Sequence, residues 1–132
     1  MHYKIDTKEK FAVLSLLDPK LSSNLVPELN DLIENLGLTS PKNLVLNLGA
    51  VNEWDLSIMA LFAQHQEVFY DNNTSFVLCC LSDDLQNALD MTEFGEMMNL
   101  TPTESEAWDI VQMEEIEREL LDSDDMEFST QE

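Results

Sequence analysis

The feature that most constrains the fold of this chain is a series of apolar runs that alternate with amphipathic segments. Three runs, FAVLSLL, NLVLNL and SFVLCCL, are apolar at consecutive positions, which is typical of strands buried on both faces of a parallel sheet. A segment with helical spacing of apolar residues follows each run, and the shorter alternating stretch HYKID precedes them as an edge strand. The pattern therefore predicts an α/β fold with a largely parallel sheet.

Local signals predict where the helices begin and end. Ser22 or Ser23 is expected to cap the first helix and Gly37 to end it. Ser82 and Thr103 are expected to cap the third and the last helix. In the last helix an inward-facing set is predicted, namely Ala107, Ile110, Val111, Met113 and Leu120. The predicted order is β-β-α-β-α-β-α, then a short extended piece near NLT and a final helix.

Negative charge is concentrated in the later part of the chain. The whole chain of 132 residues has a formal net charge of -21. Residues 1–42 contain five lysines and six acids, a net charge of -1, whereas residues 43–132 contain one arginine and 21 acids, a net charge of -20. Such a surface repels nucleic-acid phosphates and anionic lipids, so neither is an expected partner, and it favours a basic patch on a partner protein.

Motifs that would carry catalysis are not found in the sequence. The three glycines lie far apart, so no phosphate-binding loop is predicted, and His65 has no ligand-spaced histidine or cysteine near it. His65 is therefore expected to be a core-edge residue. The adjacent Cys79 and Cys80 are expected to be reduced thiols that only pack. We expect neither a metal, nor a cofactor, nor an enzyme.

Membrane insertion is not expected either. No apolar run approaches the roughly 20 residues that a membrane-spanning helix needs. The beginning of the chain lacks the charged and apolar regions of a signal peptide. The predicted localisation is therefore cytoplasmic.

Two stretches of the chain resemble one protein family. KNLVLNLGAVNEWDLSIM is similar to the central strand and turn of the STAS domain of bacterial anti-sigma factor antagonists, and ALDMTEFGEMMNLTPTESEAW is similar to its later segment. The resemblance implies a STAS (SpoIIAA-like) fold over residues 1–120, with a mixed, mostly parallel sheet of four to five strands and about four helices. Residues 121–132 lie outside it and are predicted to be an acidic, disordered tail.

In that family a serine at the start of the second helix is phosphorylated by a partner that is both a serine kinase and an anti-sigma factor. The resemblance places Leu56 at this phosphoacceptor position, between the matching acid Asp55 and the second hydroxyl, Ser57. Ile58 and Met59 fall on the family's glycine and leucine. Because leucine cannot accept phosphate, the usual switch is expected to be lost.

The resemblance also implies a partner-binding surface, an anti-sigma factor or serine kinase being the expected partner. Its predicted residues are Leu21, Ser22, Ser23, Asp55, Leu56, Ser57, Ile58 and Met59. Ser57 is also a candidate for a relocated phosphorylation site, although a capping role is the better expectation. If Leu56 and Met59 form an exposed docking patch, Met59→Asp is expected to abolish partner capture without loss of stability.

Two alternatives to this docking function remain open. The central turn could be a scaffold that has lost the switch, in which Trp54, Leu56 and Ile58 pack internally. The chain could also resemble the STAS accessory subunits of ABC lipid transporters, which dock on the ATPase. The sequence leaves the oligomeric state open.

Overall fold

The structure of the protein is a computed structural model. It describes the backbone of residues 1–131 and the side chains of residues 1–121. Within these limits the strands are β1 (Tyr3–Thr7), β2 (Phe11–Leu16), β3 (Lys20–Leu21), β4 (Asn43–Asn47), β5 (Glu53–Trp54), β6 (Phe76–Cys79) and β7 (Asn99–Thr101). The α-helices are α1 (Val26–Leu38), α2 (Leu56–Asp71), α3 (Asp83–Asp90) and α4 (Glu104–Gln131), and short 3₁₀ helices span Ser23–Leu25 and Glu93–Met97.

Five of the strands form one mixed sheet, in the order β1-β2-β4-β6-β7. The edge strand β1 is antiparallel to β2, and every other pair of neighbours is parallel. The two remaining strands, β3 and β5, pair in parallel as a separate two-stranded sheet. The predicted α/β class, the mixed sheet and the four helices are confirmed, whereas the small β3–β5 sheet was not predicted.

The sheet separates two hydrophobic layers of different size. The larger layer packs α1, α2 and α3 against alternate residues of the central strands, such as Leu14, Leu46 and Leu78. The smaller layer lies on the opposite face, where Ala107 and Val111 of α4 pack on intervening strand residues. The consecutive apolar residues of each central strand thus divide between the two faces, as the runs in the sequence predicted.

The helix boundaries follow some of the predicted signals and not others. Ser82 Oγ accepts a hydrogen bond of 3.2 Å from Leu85 N, and Thr103 Oγ1 accepts one of 3.1 Å from Glu106 N, so both predicted caps are confirmed. The cap predicted at Ser22 or Ser23 is wrong, because a 3₁₀ turn precedes α1 and Leu25 stands at its N-cap without a side-chain bond.

The glycine expected to end α1 lies inside the helix, which continues to Leu38. A Cβ atom added to Gly37 would lie 3.3 Å from Cζ of Phe69 in α2. This separation is tighter than ordinary van der Waals contact. The prediction of a stop at Gly37 is therefore wrong, and glycine at this position allows α1 and α2 to approach closely.

The inward-facing set predicted for α4 is partly wrong. Ala107 and Val111 are buried, but Met113 and Leu120 are 54% and 55% exposed. Both of the latter lie on the side of α4 that faces away from the sheet. The helix carries apolar residues on two faces, and only one of these faces packs on the sheet. The backbone of the predicted tail, residues 121–132, is described as part of α4 as far as Gln131, and its side chains are described only at Leu121. The disorder of the tail stays a prediction.

The two adjacent cysteines are free thiols, as predicted. Cys79 is buried, and its burial raises the pKa of the thiol far above the ordinary range. Cys80 is half-buried and has a φ of 66° directly after β6. Among the described residues, no helix is both long enough and apolar enough to span a bilayer.

Candidate functional site

The candidate site forms where two loops from the same edge of the sheet are joined by β3 and β5. Lys20 and Leu21 follow β2 and pair in register with Glu53 and Trp54, which follow β4. The pairing continues beyond the strands, since Asp55 N donates to the carbonyl oxygen of Leu21 at 3.0 Å. The segment before α1 and the turn before α2 are therefore held together by backbone hydrogen bonds.

Asp55 links these two loops with its side chain. It stands at the N-cap of α2 in an extended conformation, and its carbonyl oxygen accepts hydrogen bonds from Ile58 N at 3.0 Å and Met59 N at 3.2 Å. The carboxylate does not cap α2 but accepts a hydrogen bond of 2.9 Å from Ser23 N through Oδ2. Of the residues on the predicted partner-binding surface, Ser23 and Asp55 are thus in direct contact.

The first turn of α2 is mostly turned into the core. Leu56 is 59% exposed, whereas Ile58 and Met59 are 0% and 5% exposed. The expected apolar patch of Leu56, Ile58 and Met59 is therefore wrong for the last two residues, which belong to the inward face of α2. The opposite expectation, that Trp54, Leu56 and Ile58 all pack internally, holds for Trp54 and Ile58 but not for Leu56.

Ser57 is placed differently from an accessible phosphoacceptor. Its Oγ atom is buried, and no described residue offers it a hydrogen-bond partner. It therefore does not form the capping bond that was expected. A kinase would need a local opening of the α2 N-terminus to reach this hydroxyl, so the geometry does not favour Ser57 as a phosphorylation site.

The remaining predicted residues divide between core and surface. Leu21, the second residue of β3, is fully buried in the larger hydrophobic layer, so its side chain is not available to a partner. Ser22 is half-buried and Ser23 is exposed. The solvent-accessible part of the predicted surface therefore consists of the half-buried Ser22 and Asp55 and the exposed Ser23 and Leu56, and we call this group the α2 entrance.

A shallow cleft beside the α2 entrance contains residues that were not predicted from the sequence to belong to a site. It has a volume of about 380 Å³ and is lined by Lys20, Asn52, Glu53, Trp54, Asp55, Asp84, Leu85 and Ala88. Lys20 Nζ lies 3.8 Å from Glu53 Oε2 across the strand pair. Asp84 belongs to α3, whose start near the β3–β5 pair could have been inferred because helices that follow parallel strands begin at the same edge of a sheet.

His65 lies away from this site, in the middle of α2. It is 4% exposed, and its Nε2 is 2.9 Å from Oδ1 of Asn30 in α1. Burial lowers the pKa of the imidazole, partly opposed by the carboxylate of Glu34. The prediction of a core-edge histidine is confirmed.

Comparison with known families identifies the class of domain. Residues 4–107 match the family model of the STAS domain, and the chain belongs to this family. The predicted resemblance and the STAS (SpoIIAA-like) fold are thereby confirmed. No curated protein matches the sequence.

Solved structures with the same fold are distant in sequence. An anti-sigma factor antagonist from Mycobacterium paratuberculosis has a TM-score of 0.74 and 20% identity, over 84% of this chain and 93% of that one. An anti-sigma-factor antagonist (STAS) domain protein from Planctomyces limnophilus gives 0.71 and 18%, over 83% and 97%. A part of the murine anion transporter Slc26a9 gives 0.69 and 15%, over 82% of this chain and 18% of that one. At these identities the likeness establishes the fold.

Proposed function

We propose that this protein is a non-enzymatic regulatory module that docks on an anti-sigma factor of the serine-kinase type through the α2 entrance. The observation that carries the proposal is the exposure of Leu56, 59%, at the position where the family carries its phosphoacceptor. A single exposed leucine is common on protein surfaces, but Leu56 follows a turn that is held by backbone hydrogen bonds, where an aliphatic side chain can serve as an anchor in a partner's pocket. The names of the solved relatives as anti-sigma factor antagonists support this class of partner.

The proposed docking is constitutive, because the surface lacks a reachable hydroxyl at the switch position. Leu56 cannot be phosphorylated, and the neighbouring Ser57 Oγ is buried. A phosphate at the helix start would add charge next to Asp55 and oppose docking. With leucine in that place, the partner's kinase activity would not release the complex.

Charge also supports a protein partner with a basic surface. The cleft beside the α2 entrance places Glu53, Asp55 and Asp84 near one another, with Lys20 as its one basic lining residue. An acidic cleft attracts a basic patch and raises the rate of association. The cytoplasm, where anti-sigma factors act, is the proposed compartment.

Affinity capture from host cytoplasm, read by mass spectrometry with and without ATP, tests the proposal. The wild type is compared with Leu56→Asp and with the control Leu38→Asp, a residue that is 77% exposed at the end of α1. We expect the wild type and the control to retain a kinase-type anti-sigma factor in the presence of ATP, without phosphate on the bait. Leu56→Asp is expected to lose it.

Other outcomes would contradict the proposal in distinguishable ways. Recovery of a transporter ATPase, lost with Leu56→Asp, would assign the α2 entrance to an ABC transporter instead. Retention of the same proteins by Leu56→Asp and the wild type would make the α2 entrance a scaffold. Phosphate found on Ser57 after incubation with ATP would overturn the constitutive part of the proposal.

A further inference from the structure

Helix α4 carries an apolar stripe on the side that faces solvent. Met113, Ile116 and Leu120 are 54%, 53% and 55% exposed. Their spacing of three and four residues places them on one face of the helix, in successive turns. The opposite face, with Ala107 and Val111, is already buried against the sheet. The three exposed residues, called the α4 stripe below, therefore contribute nothing to the described core.

Acidic side chains border the α4 stripe. The helical positions next to it carry the exposed residues Glu106, Asp109, Glu117 and Glu119. Arg118, the one cation of residues 43–132, is turned toward the sheet, where its Nη2 lies 3.4 Å from Oγ of Ser75. The outer face of α4 thus presents large apolar side chains within a negatively charged border.

This combination differs from an ordinary solvated helix face. Exposed apolar residues scattered singly are common, but three in successive turns with a polar border are a mark of an interaction site. Solubility alone would be served by polar residues at the same positions. Two helices pack well when each offers a stripe of this spacing, because the side chains of one fit between those of the other.

We propose that the α4 stripe docks a basic amphipathic helix of a partner protein. The partner helix would place leucine-like residues on Met113, Ile116 and Leu120 and lysines or arginines beside the acidic border. A second copy of this chain fits the surface poorly, because it would bring two acidic borders together between molecules that each carry a net charge of -21. The stripe lies on the sheet face opposite to α1 and α2, so it is separate from the α2 entrance.

The test measures binding of a defined probe peptide to the full chain by fluorescence anisotropy. The probe is a labelled helical peptide of about 18 residues, or five turns, with leucines in one stripe and lysines on both sides of it. A matched peptide keeps the leucines and replaces every lysine with glutamate. We expect the basic peptide to bind and the acidic peptide not to bind.

Variants of the chain separate docking on the stripe from general attraction between opposite charges. Ile116→Ser and Leu120→Ser together are expected to weaken binding at least about tenfold, a difference of about 1.4 kcal/mol. Leu38→Ser, which removes an exposed apolar residue elsewhere, and Leu56→Asp at the α2 entrance are expected to change the affinity less than about twofold. Circular dichroism verifies that every variant is folded.

Two results would overturn the proposal. Equal affinity of the double variant and the wild type would mean that the peptide is held by charge alone. A wild-type dimer in sedimentation equilibrium that becomes monomeric with Ile116→Ser and Leu120→Ser would assign the stripe to a second copy of the chain. The variant Leu56→Asp alters only the α2 entrance and is measured with the same peptide. A failure of docking on the α4 stripe can therefore be told apart from a failure of the docking proposed at the α2 entrance.

Discussion

Ser23 and Asp55, 32 residues apart in the chain, are joined by a hydrogen bond of 2.9 Å from the backbone N–H of Ser23 to Oδ2 of Asp55. The bond closes the gap between the 3₁₀ turn before α1 and the first residue before α2. It extends the β3–β5 pairing by one more contact. The α2 entrance therefore has a fixed shape before any partner arrives, which lowers the entropic cost of binding.

Removing the Asp55 carboxylate tests the importance of this link. Asp55→Ala is expected to lower the free energy of unfolding by roughly 1–2 kcal/mol, because Ser23 N loses a charged acceptor. Asp55→Asn keeps an oxygen acceptor and is expected to retain more than half of that stabilisation. Urea unfolding followed by circular dichroism measures both values. Equal losses for the two variants would show that the negative charge, rather than the bond, is what matters.

The two apolar residues of the α2 start are expected to respond differently to a charge. Met59→Asp is expected to cost about 3 kcal/mol or more, since Met59 is 5% exposed and the carboxylate would have no partner there. Leu56→Asp is expected to change stability by less than about 0.5 kcal/mol. Thermal unfolding of the two variants side by side measures the difference. A stable Met59→Asp protein would restore the sequence-based expectation that Met59 lies in an exposed patch.

The buried hydroxyl of Ser57 is expected to be dispensable for folding. Ser57→Ala removes a group that has no partner among the described residues, so stability is expected to stay equal or rise by up to about 1 kcal/mol. Ser75→Ala is the matched control, since Ser75 Oγ donates to Glu114 Oε1 at 2.6 Å and is expected to be needed. Unfolding in urea compares the two. A marked loss with Ser57→Ala would reveal a hydrogen bond at the helix start.

His65 is expected to make stability depend on pH. Its pKa in the folded protein lies below the ordinary value of 6.5 because the ring is buried, so the unfolded chain binds the proton more readily. The contribution of the neutral His65 imidazole to stability is complete above about pH 6.5, and it is lost as the pH falls through the pKa of His65 in the folded protein. Unfolding curves at several pH values are expected to show a smaller slope for His65→Gln than for the wild type. The control His2→Gln alters an exposed histidine paired with Asp18. An unchanged slope in His65→Gln would contradict the burial argument.

The strands and helices were predictable because their signals are local. The runs FAVLSLL, NLVLNL and SFVLCCL are apolar enough to require burial on both faces, and the intervening helical spacing then leaves few α/β arrangements. Ser82 and Thr103 cap as expected because each cap involves residues only three positions apart. The resemblance to the STAS family supplied the place of the central turn.

The features that could not be predicted from the sequence depend on contacts between distant parts of the chain. No local signal distinguishes Leu56, which is exposed, from Ile58 and Met59, since all three are apolar and sit in one helical turn. The direction in which α2 leaves the β3–β5 pair determines which of these side chains face the core. Met113 and Leu120 were misplaced for a related reason, because α4 is apolar on two faces and periodicity alone does not tell which face meets the sheet.

The pair Cys79–Cys80 gives the protein a built-in attachment point for a spectroscopic label. Burial keeps Cys79 as an unreactive, protonated thiol, so a maleimide dye is expected to react first with Cys80, which is half-buried. A Cβ atom added to Gly49, in the turn after β4, would lie 3.6 Å from the Cβ atom of Cys80. A dye on Cys80 would therefore sit at the edge of the sheet where the chain turns toward α2, and could report on events there in the natural sequence, without an engineered cysteine.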